Sequence, residues 1–217
     1  MKSDTKSKEE SIKILRYARH KFHKEGFYKT TMDELSSEMH ISKKTIYKYF
    51  PSKEKLLEEI CNDTSGEIMK NMNVIVDGGG DVVVKFVKML DMHSNISINI
   101  SEKWIKDLSV YAPDFKKRID ETRNAEINKV LKKLLDQGKK ESLIENYPSP
   151  IIIICFISSL MSVMNPEFLV NNKFSIHEAF KITYEMLLNG ILTEKGKEKF
   201  KKAKTHLARE LNREVLN

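Results

Sequence analysis

Between residues 30 and 55 the chain reads TTMDELSSEMHISKKTIYKYFPSKEK, with three helix-start signals in 26 positions. Thr31 and Glu34 make a capping box, in which the hydroxyl accepts from the third amide of the new helix and the carboxylate accepts from the cap's own amide. Ser42 and Ser52 precede two further helical runs, so helices are predicted to start near Met32, Lys43 and Lys53. Between the first two lies His40-Ile41-Ser42, a connection of about three residues that suits the steep crossing of a helix-turn-helix. On the second short helix Ile46 and Phe50 are four apart and turn inward. Lys43, Lys44, Tyr47 and Lys48 fall on the opposite face, with Thr45 at its border. Such a helix can lie in a major groove, about 12 Å wide, with ammonium groups near guanine acceptors or phosphates and a phenol bonding a phosphate oxygen. Lysines on an exposed helix are by themselves an ordinary solvated face. The tyrosines, the caps and the preceding helix tip the reading toward double-stranded DNA, because a motif gains weight from its structural context.

Charge is distributed in the same sense. The 217 residues carry a formal net +7. Residues 1 to 60 hold 14 Lys+Arg against 10 Asp+Glu, and residues 195 to 217 hold 8 against 3, while residues 61 to 194 hold 16 against 18. A basic amino-terminal unit attracts the phosphate backbone with an affinity that falls steeply with salt; a neutral middle does not. The basic carboxyl-terminal run reads as a solvated helix with alternating charges, since Phe200, Ala203, Leu207 and Leu211 keep a thin apolar stripe.

The segment T-T-M-D-E-L followed by I-S-K-K-T-I-Y-K-Y-F-P-S-K-E-K-L-L resembles the DNA-binding domain of the tetracycline-repressor (TetR) family of bacterial transcriptional regulators. The likeness extends back to about residue 8, through Ile12, Leu15, Ala18, Phe22 and Gly26-Phe27, and forward to about Ile60. It implies that Thr31, Thr45, Tyr47, Tyr49 and Lys53 touch DNA, chiefly phosphates, and that Lys43, Lys44 and Lys48 vary with operator sequence. Two departures stand out: His40 where the family commonly has glycine in the turn, and Lys44 where it often has glycine on the helix. If the turn needs a positive φ, a histidine adopts it at some strain.

The rest of the chain reads as helix almost to its end, so the predicted fold is all-α: a helix-turn-helix domain over 1–52, a connecting helix over about 53–73, and a helical ligand-binding and dimerisation domain over 74–217. Gly78-Gly79-Gly80 is a turn, since no phosphate-loop pattern follows it. Further helices are expected over Val82 to Met92, Glu102 to Tyr111 and Phe115 to about Asp136, the last ended by Gly138. Pro150 to Met164 is apolar around nearly its whole circumference and Ser175 to Leu192 is broadly apolar. Helices of this kind are buried on two sides, which a twofold four-helix interface achieves; Ile153, Phe156, Ile157, Leu160, Phe180, Tyr184 and Leu187 are its expected members. Two heads about 34 Å apart then read the halves of a palindrome.

For a small apolar effector, Met89, Met92, Trp104, Tyr111, Phe115, Phe156 and Met161 are the expected lining, with adaptable methionines and flat aromatic walls. A regulator without an effector is the alternative. A small all-helical enzyme is the contrasting class, and it lacks support: no G-x-S-x-G occurs, and His20 and His23 lack the commoner metal-binding spacing. No cofactor or metal is expected. Cys61 and Cys155 form no metal-binding pair and fit a reducing cytoplasm. The polar start MKSDTKSKEE lacks a signal-peptide core, and the apolar run Ile151–Val163 falls short of the ~20 residues a membrane crossing takes.

Overall fold

The computed structural model describes the backbone of residues 2–98 and 100–214 and the side chains of 6–96 and 100–206. Among the described residues the regular structure is helical: α1 (Lys2–Glu25), α2 (Met32–Glu38), α3 (Lys43–Tyr49), α4 (Lys53–Asp77), α5 (Val82–Ile98), α6 (Glu102–Tyr111), α7 (Pro113–Lys140), α8 (Ser149–Val163), α9 (Pro166–Asn172), α10 (Ile176–Ile191) and α11 (Glu194–Glu214). The chain is all-α, with helices beginning at Met32, Lys43 and Lys53 as their caps predicted. No single described helix is long and apolar enough to cross a membrane.

One compact unit comprises Met1–Ile68 and Asn99–Glu121. It takes in α6 and the first turns of α7, which lie within the 74–217 segment expected to form the ligand-binding domain. Its core is a stripe of α1, Ile14, Ala18 and Phe22 at four-residue spacing, closed by Leu35, Ile46, Phe50, Leu56, Ile60 and Trp104. The rings of Phe27 and His23 lie 6.0 and 4.8 Å from that of Trp104, and the Ser101 amide donates to the His23 carbonyl at 2.8 Å. Gly26, at φ +84°, turns the chain out of α1. A Cβ there would stand 2.5 Å from Asp107 Oδ2, so both conformation and space call for glycine.

The second unit comprises Met69–Ile98 and Thr122–Asn217. Tyr184 of α10 is buried at its centre, its ring 6.4 Å from Phe86, 6.0 Å from Phe156 and 5.6 Å from Phe180. Its hydroxyl donates to the Phe86 carbonyl at 3.1 Å, which satisfies a phenol that burial would otherwise penalise. Lys85 is buried too. Its ammonium donates to the Val76 carbonyl at 2.6 Å and Gln137 Oε1 at 2.9 Å, pinning the last turn of α4.

The elements differ from expectation in several places, and α5 runs on to Ile98 where the spacing predicted an end at Met92. The helix from Lys53 runs to Asp77, one turn past Asn73. Gly138 does not end α7: it sits inside the helix where a Cβ would come 2.4 Å from Ile144 Cδ1 and 2.9 Å from Val82 Cγ1. That glycine serves close approach, and the chain leaves the helix at Ser142, in the left-handed region at φ +57°. The short helix α9 was not anticipated, although Asn165 caps it and Pro166 occupies its first position. Along α11 Phe200 is buried; Leu207 and Leu211 lie outside the described side chains.

Candidate nucleic-acid interface

Two caps set the position of α3. Thr31 Oγ1 accepts from the Glu34 amide at 3.1 Å while the Thr31 amide donates to Glu34 Oε2 at 3.4 Å, completing the capping box that starts α2. Ser42 Oγ accepts from the Thr45 amide at 3.1 Å and starts α3. Between them His40 adopts φ +54°, the left-handed turn that the family's glycine would adopt without strain.

A buried lysine holds α2 to α1. Lys21 Nζ lies 2.8 Å from Glu34, 2.8 Å from Glu38 and 3.4 Å from Glu25. Hydrogen bonding to Glu34 and Glu38 raises its pKa, and the same bonds hold both carboxyls below the usual carboxylate range. Tyr17 Oη adds a 2.7 Å bond to Glu38. Lys21 is not legible as a site in the sequence, since an isolated lysine in an amphipathic helix gives no sign that three carboxylates will converge on it.

On this base the two faces of α3 separate. Ile46 and Phe50 are buried, whereas Lys43, Lys44, Tyr47 and Lys48 are exposed, Tyr47 at 46%. Lys43 pairs with Asp33 at the surface, an ion pair weak enough for a phosphate to displace. Thr45 is half-buried, its hydroxyl 2.8 Å from Ser42 Oγ. Thr31 is exposed at the start of α2.

Lys53 is half-buried at the start of α4. Its ammonium donates to the Tyr28 carbonyl at 2.7 Å and lies 5.7 Å from the centre of the Phe27 ring. Desolvation lowers its pKa. Two N–H groups remain for an anion. Tyr49 is the most engaged of the predicted contacts. Its hydroxyl donates to Glu10 Oε2 at 2.7 Å and accepts from Lys48 Nζ at 3.2 Å and Ser7 Oγ at 3.3 Å. Glu10 and Ser7 carried no signal in the sequence, because the pairing joins residues about forty positions apart.

The residues expected around an effector divide between the units. Trp104 is buried in the aromatic core of the first unit, where Tyr111 stacks on Tyr28 at 3.5 Å and Phe115 packs against the core. Met89 and Phe156 are buried and Met92 and Met161 half-buried in the second, where Arg123 Nη2 donates to Met161 Sδ at 3.1 Å. The expected dimer residues also divide. Ile153, Phe156, Phe180 and Tyr184 are covered inside the protomer, and Ile157, Leu160 and Leu187 are half-buried. Ile151 and Ile154 on α8 and Ile182 and Met186 on α10 are each more than half exposed.

Comparison with known proteins agrees with this geometry. The model of the bacterial regulatory proteins of the tetR family matches residues 14–60, spanning the stripe of α1, both caps and α3. The chain is 24% identical over 173 residues to YvaF of Bacillus subtilis, described as an uncharacterized HTH-type transcriptional regulator, covering 79% of this chain and 90% of that one. A TetR-family regulator from Agrobacterium tumefaciens shares the fold with a TM-score of 0.68 at 13% identity, over 86% of this chain and 100% of that chain. A transcriptional regulator from Cytophaga hutchinsonii gives 0.64 at 20% identity, over 83% and 97%. Residues 14–60 thus carry a capped helix-turn-helix that matches the bacterial regulatory proteins of the tetR family, on a fold shared with solved structures of such regulators along most of the chain.

Proposed function

We propose that the protein is a homodimeric repressor that binds a palindromic operator through α3 and loses affinity for it when a small apolar ligand enters the second unit. The observation that carries the operator reading is the exposed face Lys43, Lys44, Tyr47 and Lys48, supported from behind by Ile46 and Phe50. Thr31, Thr45, Tyr49 and Lys53 border it. Selection of bound sequences from random duplex DNA at stated salt tests it. Enrichment of a palindrome is the expected result, and no enrichment would overturn it.

Dimerisation is supported by the apolar side chains left in water on α8 and α10. Ile151 and Ile154, three apart, and Ile182 and Met186, four apart, each make one face of a helix. A second copy covers them in a self-complementary interface. The effector reading draws on Met89, Met92, Phe156 and Met161 in the second unit, a methionine-rich apolar set that repacks readily around a guest. Helix α4 runs unbroken from Lys53 to Asp77, so a displacement of its far end reaches the operator-side lysine. Ligand acts only through unequal affinity for the two states. Operator affinity that no apolar ligand changes would support the simpler regulator without an effector.

A further inference from the structure

We propose that Tyr49 is a positioning residue that aims Lys48 at the DNA, with Glu10 as its anchor, and does not itself donate to a phosphate. The proposal deepens the reading of α3 as the operator-contacting helix and rests on it. A phenol has one proton to give and two lone pairs to share. Here the proton goes to Glu10 Oε2 at 2.7 Å, and the oxygen faces Lys48 Nζ at 3.2 Å and Ser7 Oγ at 3.3 Å. No hydrogen-bonding capacity is left for DNA. A phosphate could win the proton only by displacing a carboxylate acceptor whose own negative charge repels it.

What the arrangement does well is order a lysine. A free lysine side chain pays rotamer entropy when it is fixed, so one already held contributes more of its contact energy to binding. The Lys48 ammonium is held to the Tyr49 hydroxyl and lies 4.8 Å from the centre of the Tyr49 ring. Lys48 remains exposed on the DNA side of α3, while Tyr49 is half-buried against α1. Glu10 and Ser7, one helical turn apart on α1, grip the phenol from behind. Selectivity at the bases under Lys48 thus depends on residues of α1 that do not face the groove.

A double-mutant cycle tests this on the full-length protein, using a duplex that carries the sequence enriched from a random pool. Tyr49→Phe and Lys48→Ala are each expected to weaken binding about 10-fold and to relax selectivity at the same base pairs, and the double variant to lose little beyond either alone. Glu10→Gln keeps an acceptor for the phenol and should bind at least as tightly as wild type; Glu10→Ala removes it and should bind more weakly than Glu10→Gln. Tyr49→Phe retains the ring, and an unchanged melting temperature confirms its fold. Additive losses in the cycle, with selectivity altered at different base pairs, would overturn the positioning role while the DNA reading stood. A wild-type protein that enriched no sequence would overturn both.

Discussion

Tyr47 and Lys53 have different surroundings but the same expected phenotype. Tyr47 points into solvent and Lys53 keeps two donors free beside a half-buried stem. Contacts to phosphate carry no sequence information, so Tyr47→Ala and Lys53→Ala should weaken binding to all duplexes alike in a competition assay. Lys43→Ala, by contrast, should relax selectivity at particular base pairs, measured by repeating the sequence selection. Behind them, Ile46 is fully buried, and Ile46→Ala should cost about 2–5 kcal/mol of unfolding free energy by denaturant titration. At His40 the sign reverses. With φ at +54° and an exposed side chain, His40→Gly should stabilise the head by about 1 kcal/mol, visible as a higher melting temperature.

Among the elements, α1 and α2 are joined by charge in a way that pH can probe. Glu34 and Glu38 sit below the usual carboxylate range because Lys21 bonds them, so the folded state holds fewer protons than the unfolded one in mild acid. Their stabilisation is complete above the ordinary value of 4.5 and is lost as pH falls through the depressed folded values. His23 acts earlier. Burial lowers its pKa from 6.5 to about 4, so its contribution is complete above 6.5 and fades as pH falls toward 4. Melting temperature should therefore begin to drop below about pH 6.5, and His23→Phe should remove part of that early decline, the rest belonging to His93, whose pKa burial also lowers from 6.5 to about 4. A wild-type melting temperature flat from pH 7 to 5 would contradict the assignment. Legibility at this scale followed locality. The starts of α2, α3 and α4 were readable because a cap is settled within four residues of chain. The inward side of α3 was readable because Ile46 and Phe50 obey helical spacing. Gly138 looked like a terminator because the residues that need its missing Cβ, Ile144 and Val82, pack onto it only after folding. Trp104 looked like a cavity wall for the same reason: its neighbours Phe22, His23 and Phe27 come from α1 and the turn after it.

For the whole molecule, apolar periodicity on α8 and α10 announced broad burial without saying which side the protomer itself would cover. The structure buries Phe156, Phe180 and Tyr184 within the second unit and leaves Ile151, Ile154, Ile182 and Met186 outward. Under the dimer proposal, Ile154→Glu places a charge on the covered face, and sedimentation should show a monomer whose operator affinity falls at least 10-fold, since the second half-site no longer binds cooperatively. A variant that stayed dimeric with unchanged affinity would move the interface elsewhere.

The central claim is that the outward face of α3 meets the double helix, and chemical acetylation of lysines with and without a saturating selected duplex tests it most directly. Lys43, Lys44 and Lys48 should be modified freely in the protein alone and protected in the complex, while the exposed Lys140 and Lys195 on the second unit react equally in both. Equal modification of Lys43, Lys44 and Lys48 in the free and DNA-bound protein would contradict the account.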